Sequence, residues 1–172
     1  MKITLFMAMS LDGLTSRKNG NEDFLSELDW KYFCELTEKT GCLITSRETY
    51  DNVKSWDDES FDDIKKAKKI IISHNKNTKL DKGYILALSP LEAVKMAEKL
   101  MCKEAVLSAG PNLTKDFFKE KLINEMIINI DPISIGTGIK LFQENNSDIK
   151  LSLVNVNKLD GKIVQLHYKV VY

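Results

Sequence analysis

Apolar residues along this chain fall into short runs divided by polar turns, and the runs alternate between two periods. Continuous runs of strand length occupy residues 3–9, 42–45, 70–72, 84–88, 105–107 and 126–130, the pattern of strands buried on both faces. Between them lie stretches with helical spacing. Residues 24–40 carry Phe24, Leu25, Leu28, Tyr32, Phe33 and Leu36, with Gly41 placed as a C-cap. Residues 46–50 turn from a strand into a short helix. Ser89, Pro90 and Glu92 read as N-cap, N1 and N3 of a helix reaching Cys102, with Leu91, Val94, Ala97, Leu100 and Met101 on one side. A fourth helix presents Leu113, Phe117, Phe118 and Leu122. Residues 14–22 and the acidic residues 56–61 read as loops. Residues 149–156 and 163–172 form two last strands, joined at residues 157–161 as a hairpin.

This alternation predicts one α/β domain over residues 1–172. Its sheet is mostly parallel, flanked by helices on both faces, with an antiparallel C-terminal hairpin. In such sheets ligands sit at the carboxyl ends of the strands. Four polar turns follow strands, at residues 10–15, 46–49, 73–76 and 108–113. The last runs from a strand through Gly110 and Pro111 into a helix. That arrangement aims backbone N–H groups and a helix dipole at one spot, which suits an anion.

Charge narrows the partners. Among 172 residues, 25 Lys+Arg balance 25 Asp+Glu, and 43% of positions are hydrophobic. No net field invites nucleic acid or an anionic membrane, and the basic run Lys65, Lys66, Lys68 and Lys69 reads as a solvated helix end. Cys34, Cys42 and Cys102 are widely spaced and the two histidines lie far apart, so no metal-ligand pattern emerges. Reduced thiols and the lack of a signal-type segment lead to the expectation of a cytoplasmic protein.

Met7 to Gly13, Ser46 to Tyr50, Ala109 to Leu113 and Pro132 to Phe142 occur in an order that resembles the dihydrofolate-reductase-like superfamily. The likeness is to the branch holding the reductase domain of the bacterial riboflavin-pathway deaminase/reductase, and it covers nearly the whole chain. Ala109 stands where the family often has a first glycine.

The resemblance implies an NADPH-dependent reductase acting on a small-molecule substrate, commonly as a homodimer. Carried over by position, Ala8 offers its backbone to the nicotinamide carboxamide and Thr15 lies beside that ring. Arg47 and Thr49 meet the 2′-phosphate side and the pyrophosphate. Ser73 and His74, with Lys76 near, border the adenosine phosphate, and Gly110, Asn112 and Leu113 hold the pyrophosphate.

Two acids are candidates for proton chemistry. Asp12 either orients substrate or forms its Asp-Gly turn. Asp29 either assists protonation, as a carboxylate near this place does in dihydrofolate reductases, or stabilises a helix start. Counting without gaps from Arg47 puts Trp30, not Asp29, at that place. Trp30 and Phe33 are candidates for stacking on a planar substrate or for core packing. The nearest named activity is 5-amino-6-(5-phosphoribosylamino)uracil reductase; a dihydrofolate-type reductase and a catalytically silent nucleotide-binding module are the alternatives.

Overall fold

A computed structural model describes residues 1–56, 61–142 and 148–172. Residues 57–60 of the expected acidic loop lie outside the described residues. Phe61, at the end of that loop, is buried and opens a 3-10 turn, Phe61–Asp63.

The apolar runs form β1 (Lys2–Ser10), β3 (Cys42–Ser46), β4 (Lys68–Ile72), β5 (Tyr84–Ala87), β6 (Glu104–Leu107) and β7 (Glu125–Asp131). Between them run α1 (Glu27–Thr40), α2 (Arg47–Lys54), α3 (Pro90–Lys99) and α4 (Pro111–Lys119). The strands join β9 (Lys150–Leu159) and β10 (Ile163–Val171) in one eight-stranded sheet ordered β5-β4-β3-β6-β1-β7-β10-β9. Pairing is parallel from β5 to β7 and antiparallel at β10 and β9, as expected. Asp160 and Gly161 both take positive φ in the hairpin turn, the backbone twist that suits a tight connection.

Strand alternation divides the core. Phe6, Leu43, Ile71, Val106 and Ile127 face α1 and α2, meeting Phe33, Tyr50 and Val53. Ile3, Leu5, Ile44, Ile70, Leu107 and Met126 face α3 and α4, meeting Ala93, Ala97, Leu113 and Phe117.

Three expectations are corrected. First, residues 14–22 are not all loop: Leu14–Ser16 form β2, buried throughout and paired with β8 (Ile139–Lys140). A three-residue strand whose partner lies at the far end of the chain leaves no local periodicity. Gly138 permits this pairing, since a Cβ there would overlap the Ser16 carbonyl.

Second, α1 starts at Glu27, not Phe24. Ser26 caps it, accepting from the Leu28 N–H at 3.2 Å, while Asp29 accepts from the Ser26 N–H at 3.1 Å. Third, the expected face of α3 holds only in part: Ala97 is buried and Val94 packs against the core, but Pro90 and Ala93 complete the buried face. Small residues let the helix sit close to the sheet, and Leu91, Leu100 and Met101 turn outward, Met101 being 85% exposed.

Asn124 ties three elements together ahead of β7. Its Oδ1 accepts from the Ile3 N–H at 2.8 Å. Its N–H donates to the Ile3 carbonyl, and its own carbonyl accepts from the Val170 N–H. Asn124→Ala removes the acceptor from a part-buried amide, a loss of roughly 1–3 kcal/mol. The expected result is a thermal midpoint lowered by several degrees in differential scanning fluorimetry; an unchanged midpoint contradicts it.

Candidate active site

Parallel strands β1, β3, β4 and β6 end at one sheet edge, so the turns after them face a common space. Two adjoining cavities lie there, of about 890 and about 270 Å³. Glu48, Gly110, Pro111 and Asn112 line both. The start of α4 is therefore the wall between them.

That helix start differs from the other three. Ser26, Ser46 and Ser89 cap α1, α2 and α3 with their side chains, whereas Gly110 caps α4 with none and Pro111 follows at N1. Gly110 has φ −61° and ψ 169°, which any residue tolerates. Its missing side chain thus serves space rather than backbone: a Cβ there would meet no protein atom within 4 Å. The position it would fill is open cleft.

The larger cavity has an aromatic wall. Trp30 stacks near Phe61 with centroids 6.0 Å apart, lies 5.3 Å from Phe33, and meets Trp56 edge-on at 5.7 Å. Phe6 stands 5.9 Å from Phe33 on the sheet side. The Trp30 indole N–H donates to Asp63 Oδ2 at 3.0 Å, which fixes the ring. All charged residues lining this cavity among the described residues are acidic: Glu22, Asp23, Asp29, Glu48 and Asp51. Asp23 pairs with Arg17 and Asp51 with Arg47, each at 2.6 Å. The smaller cavity is lined by Arg47 and His74 and by the carboxylates Glu48 and Asp116. Among the described residues, an arginine therefore lines one end of the cleft and not the other.

The residues singled out in the sequence sort between these spaces. Ala8, Thr15, Asp29, Trp30, Phe33 and Thr49 line the larger cavity. Arg47, Ser73, His74 and Leu113 line the smaller, and Gly110 and Asn112 line both. Thr15 is buried and donates to the Ile139 carbonyl at 3.2 Å. Thr49 is held by its N–H on Ser46 Oγ at 3.0 Å. Arg47 is held by Asp51 and by the Lys79 carbonyl at 2.9 Å, with its guanidinium over Tyr50. Ser73 shares a hydrogen bond with Thr78 at 2.8 Å.

Asp12 lines neither cavity. Its carboxylate accepts from the Ile135 N–H at 3.2 Å and the Gly136 N–H at 2.8 Å. The Ser10 hydroxyl and these two amides hold its carboxyl well below the usual range. It joins the turn after β1 to the turn before β8.

Asp29 has a second set of partners that sequence reasoning missed. Asn157 Nδ2 donates to Gln165 Oε1 at 3.2 Å and Gln165 Nε2 to Asn129 Oδ1 at 2.9 Å. Asn129 Nδ2 then donates to Asp29 Oδ1 at 2.6 Å. Asn129, Gln165 and Asp29 are all buried. Beside Asp29 lies Asp131, 3% exposed, with no hydrogen-bond donor on its Oδ2. Burial, then the Asp29 charge, push the Asp131 carboxyl up to about 7. One signal was visible in the sequence: Asn129 interrupts an otherwise apolar run, where a polar side chain needs a buried partner. Asp131 lies just beyond the apolar run at residues 126–130, where a carboxylate gives no sign of burial.

The fold and its strand-end cleft place the molecule among dihydrofolate-reductase-like α/β proteins. More narrowly, the chain belongs to the RibD C-terminal domain family, whose model matches residues 1–165. It is 26% identical to the uncharacterized protein YwjB of Bacillus subtilis over 97% of each chain. It superposes with a TM-score of 0.81 on a putative riboflavin biosynthesis protein from Shewanella sp. PV-4, at 24% identity and over 100% of both chains. Its TM-score with dihydrofolate reductase from Enterococcus faecalis, complexed with NADP(H) and RAB-propyl, is 0.75 at 15% identity, covering 98% of this chain and 96% of that one.

The Asp131 carboxyl stands above its unfolded value of 3.8, so its protonated form favours folding. The native chain therefore loses stability as pH rises from about 4 through about 7, where ionisation works against burial and Asp29. Asp131→Asn is neutral throughout. Its unfolding free energy relative to the native chain is expected to rise between about pH 5 and about pH 8, by at least about 1 kcal/mol in denaturant titrations. A pH-independent difference contradicts this.

Proposed function

We propose that this protein is an NADPH-dependent reductase of a small planar nitrogen heterocycle or its ring-opened ribosyl derivative. The nearest named activity is that of 5-amino-6-(5-phosphoribosylamino)uracil reductase of riboflavin biosynthesis. The observation that carries the reading is the cleft itself. A glycine-capped helix start divides an arginine-bearing cavity from an aromatic-walled one, at the strand ends of a RibD C-terminal domain.

The residues present fit the cofactor. Open space at Gly110 lets a pyrophosphate reach the start of α4, where Asn112 and Leu113 would hold it. Arg47, Ser73 and His74 would take the adenosine-phosphate end. Ala8 and Thr15 would hold the nicotinamide end in the larger cavity. A bound reduced nicotinamide supplies a hydride. The chain's own tasks are to stack the heterocycle on Trp30 and Phe33, exclude water, and offer Asp29 to a ring nitrogen.

A folate-type reductase is the second reading, favoured by one observation: Asp29 lines the aromatic cavity although ungapped counting puts Trp30 in its place. Turnover of dihydrofolate against the aminopyrimidine separates the two. Cofactor binding without turnover of any pterin or aminopyrimidine would instead favour a silent nucleotide-binding module.

NADPH is expected to raise the thermal midpoint in a saturable manner. Gly110→Ala should fold normally, since its backbone angles suit alanine, yet weaken NADPH at least tenfold, about 1.4 kcal/mol, by placing a methyl in the cleft. Equal affinity for both proteins, or no saturable binding by the native chain, sinks the reading.

The proposal includes a cytoplasmic homodimer. Every side chain of β9 from Lys150 to Lys158 is exposed, and Leu151, Leu153, Val154 and Val156 lie among them, an apolar edge of the kind that a second copy covers. Light scattering after size exclusion is expected to give twice the 19.6 kDa chain mass; the single-chain mass contradicts it.

A further inference from the structure

The proposed reduction requires a proton as well as a hydride, and the larger cavity offers one buried carboxyl, Asp29, to handle it. Both Asp29 oxygens already have donors, Oδ1 from Asn129 and Oδ2 from the Ser26 N–H. The amides of Asn157, Gln165 and Asn129 run in one direction, each donating to the next, and end on Asp29. Asp131 has the opposite surroundings. It is buried, its Oδ2 has no donor, and it lies against the Asp29 carboxyl and the Ser26 backbone. Two ionised carboxylates in such contact are disfavoured; a proton on Asp131 gives it a donor and Asp29 a third partner.

We infer that Asp131 is a positioning residue that keeps a proton on the Asp29–Asp131 pair, and that this proton passes through Asp29 to the nitrogen of the bound heterocycle. The inference rests on the proposed reductase activity. In the reduction of a C=N bond, the carbon receives a hydride, with its two electrons, from the dihydronicotinamide. The nitrogen gains the proton that leaves Asp131 by way of the Asp29 carboxyl, and a new N–H bond forms. Both carboxyls are then ionised, and one recovers a proton from water once product has left. The charged neighbour acting on Asp131 among the described residues is Asp29, from α1. Ser10, its register partner on β1, is neutral, as is Gln165 on β10, which reaches Asp29 through Asn129. The arrangement keeps the proton beside the cavity yet out of water, for Asp131 does not line it.

The test is carbon-detected NMR of aspartate carboxyls on the full chain over roughly pH 4 to 9, native and variant. One carboxyl is expected to titrate near 7 in the native chain, to vanish in Asp131→Asn, and to titrate lower in Asp29→Asn. Asp131 titrating in the ordinary carboxylate range of the native chain overturns the inference. The second readout is NADPH consumption with whichever of dihydrofolate or the phosphoribosylaminouracil the native chain reduces. Asp131→Asn should lower kcat at least tenfold, leave KM for NADPH within about twofold, and remove the descending limb of the kcat–pH profile. An unchanged profile overturns the inference. Failure of the native chain to gain thermal stability with NADPH would fail the reductase reading instead, since the carboxyl titration is measured without cofactor.

Discussion

Parallel pairing of β1 between β6 and β7 is the constraint on which the rest depends. Parallel strands run in one direction, so β1, β3, β4 and β6 deliver their following turns to one edge. Pairing Thr4 with both Val106 and Glu125 sets the level at which Ala8, Ser108 and Gly110 emerge. A slip of one residue would exchange Leu5 and Phe6 between the two core faces. Core packing and cleft geometry are therefore specified by the same pairings, and neither can drift alone.

Much of this was legible because buried strands and capped helices leave local traces. Residues 42–45 and 70–72 are apolar and short, and they became β3 and β4 almost at the expected bounds. What escaped was decided by distant partners. Leu14–Ser16 is a strand only because Ile139 and Lys140 return to it. On α3, hydrophobicity pointed to Leu91 and Leu100, but the sheet accepts alanine there, since closeness of approach rather than apolar area decides the face. Trp30 and Phe33 were visible as aromatic residues, yet their common wall depends on Trp56 and Phe61 from elsewhere in the chain.

Electrostatics divides the cleft in a way no linear reading would give. Arg47 was expected beside phosphate from its place after a strand, and it does line the smaller cavity. Its neighbour Asp51, one turn on, holds the guanidinium and faces the larger one. The same helix thus turns its arginine to one space and Asp51 to the other, while Glu48 lines both. An anionic group at the larger end would meet Asp29 and Glu48 without a lining arginine or lysine among the described residues, whereas the smaller end offers Arg47 beside Glu48 and Asp116. Among the described lining residues, an anionic group finds a guanidinium partner at the smaller end alone.

Asp29 shows why the competing sequence readings need not exclude one another. As the third residue of α1 it accepts the Ser26 N–H, which fixes the helix start. The same fixing points its carboxyl at the cavity and at Asn129. A carboxylate used only as a cap would do as well at a solvent-facing helix start, where burial costs nothing. Here it is 4% exposed and shares its site with a second acid, an arrangement that costs stability unless one proton is retained. The cap therefore explains how Asp29 is held, while the burial of Asp131 against it is a cost that capping alone gives no reason to bear.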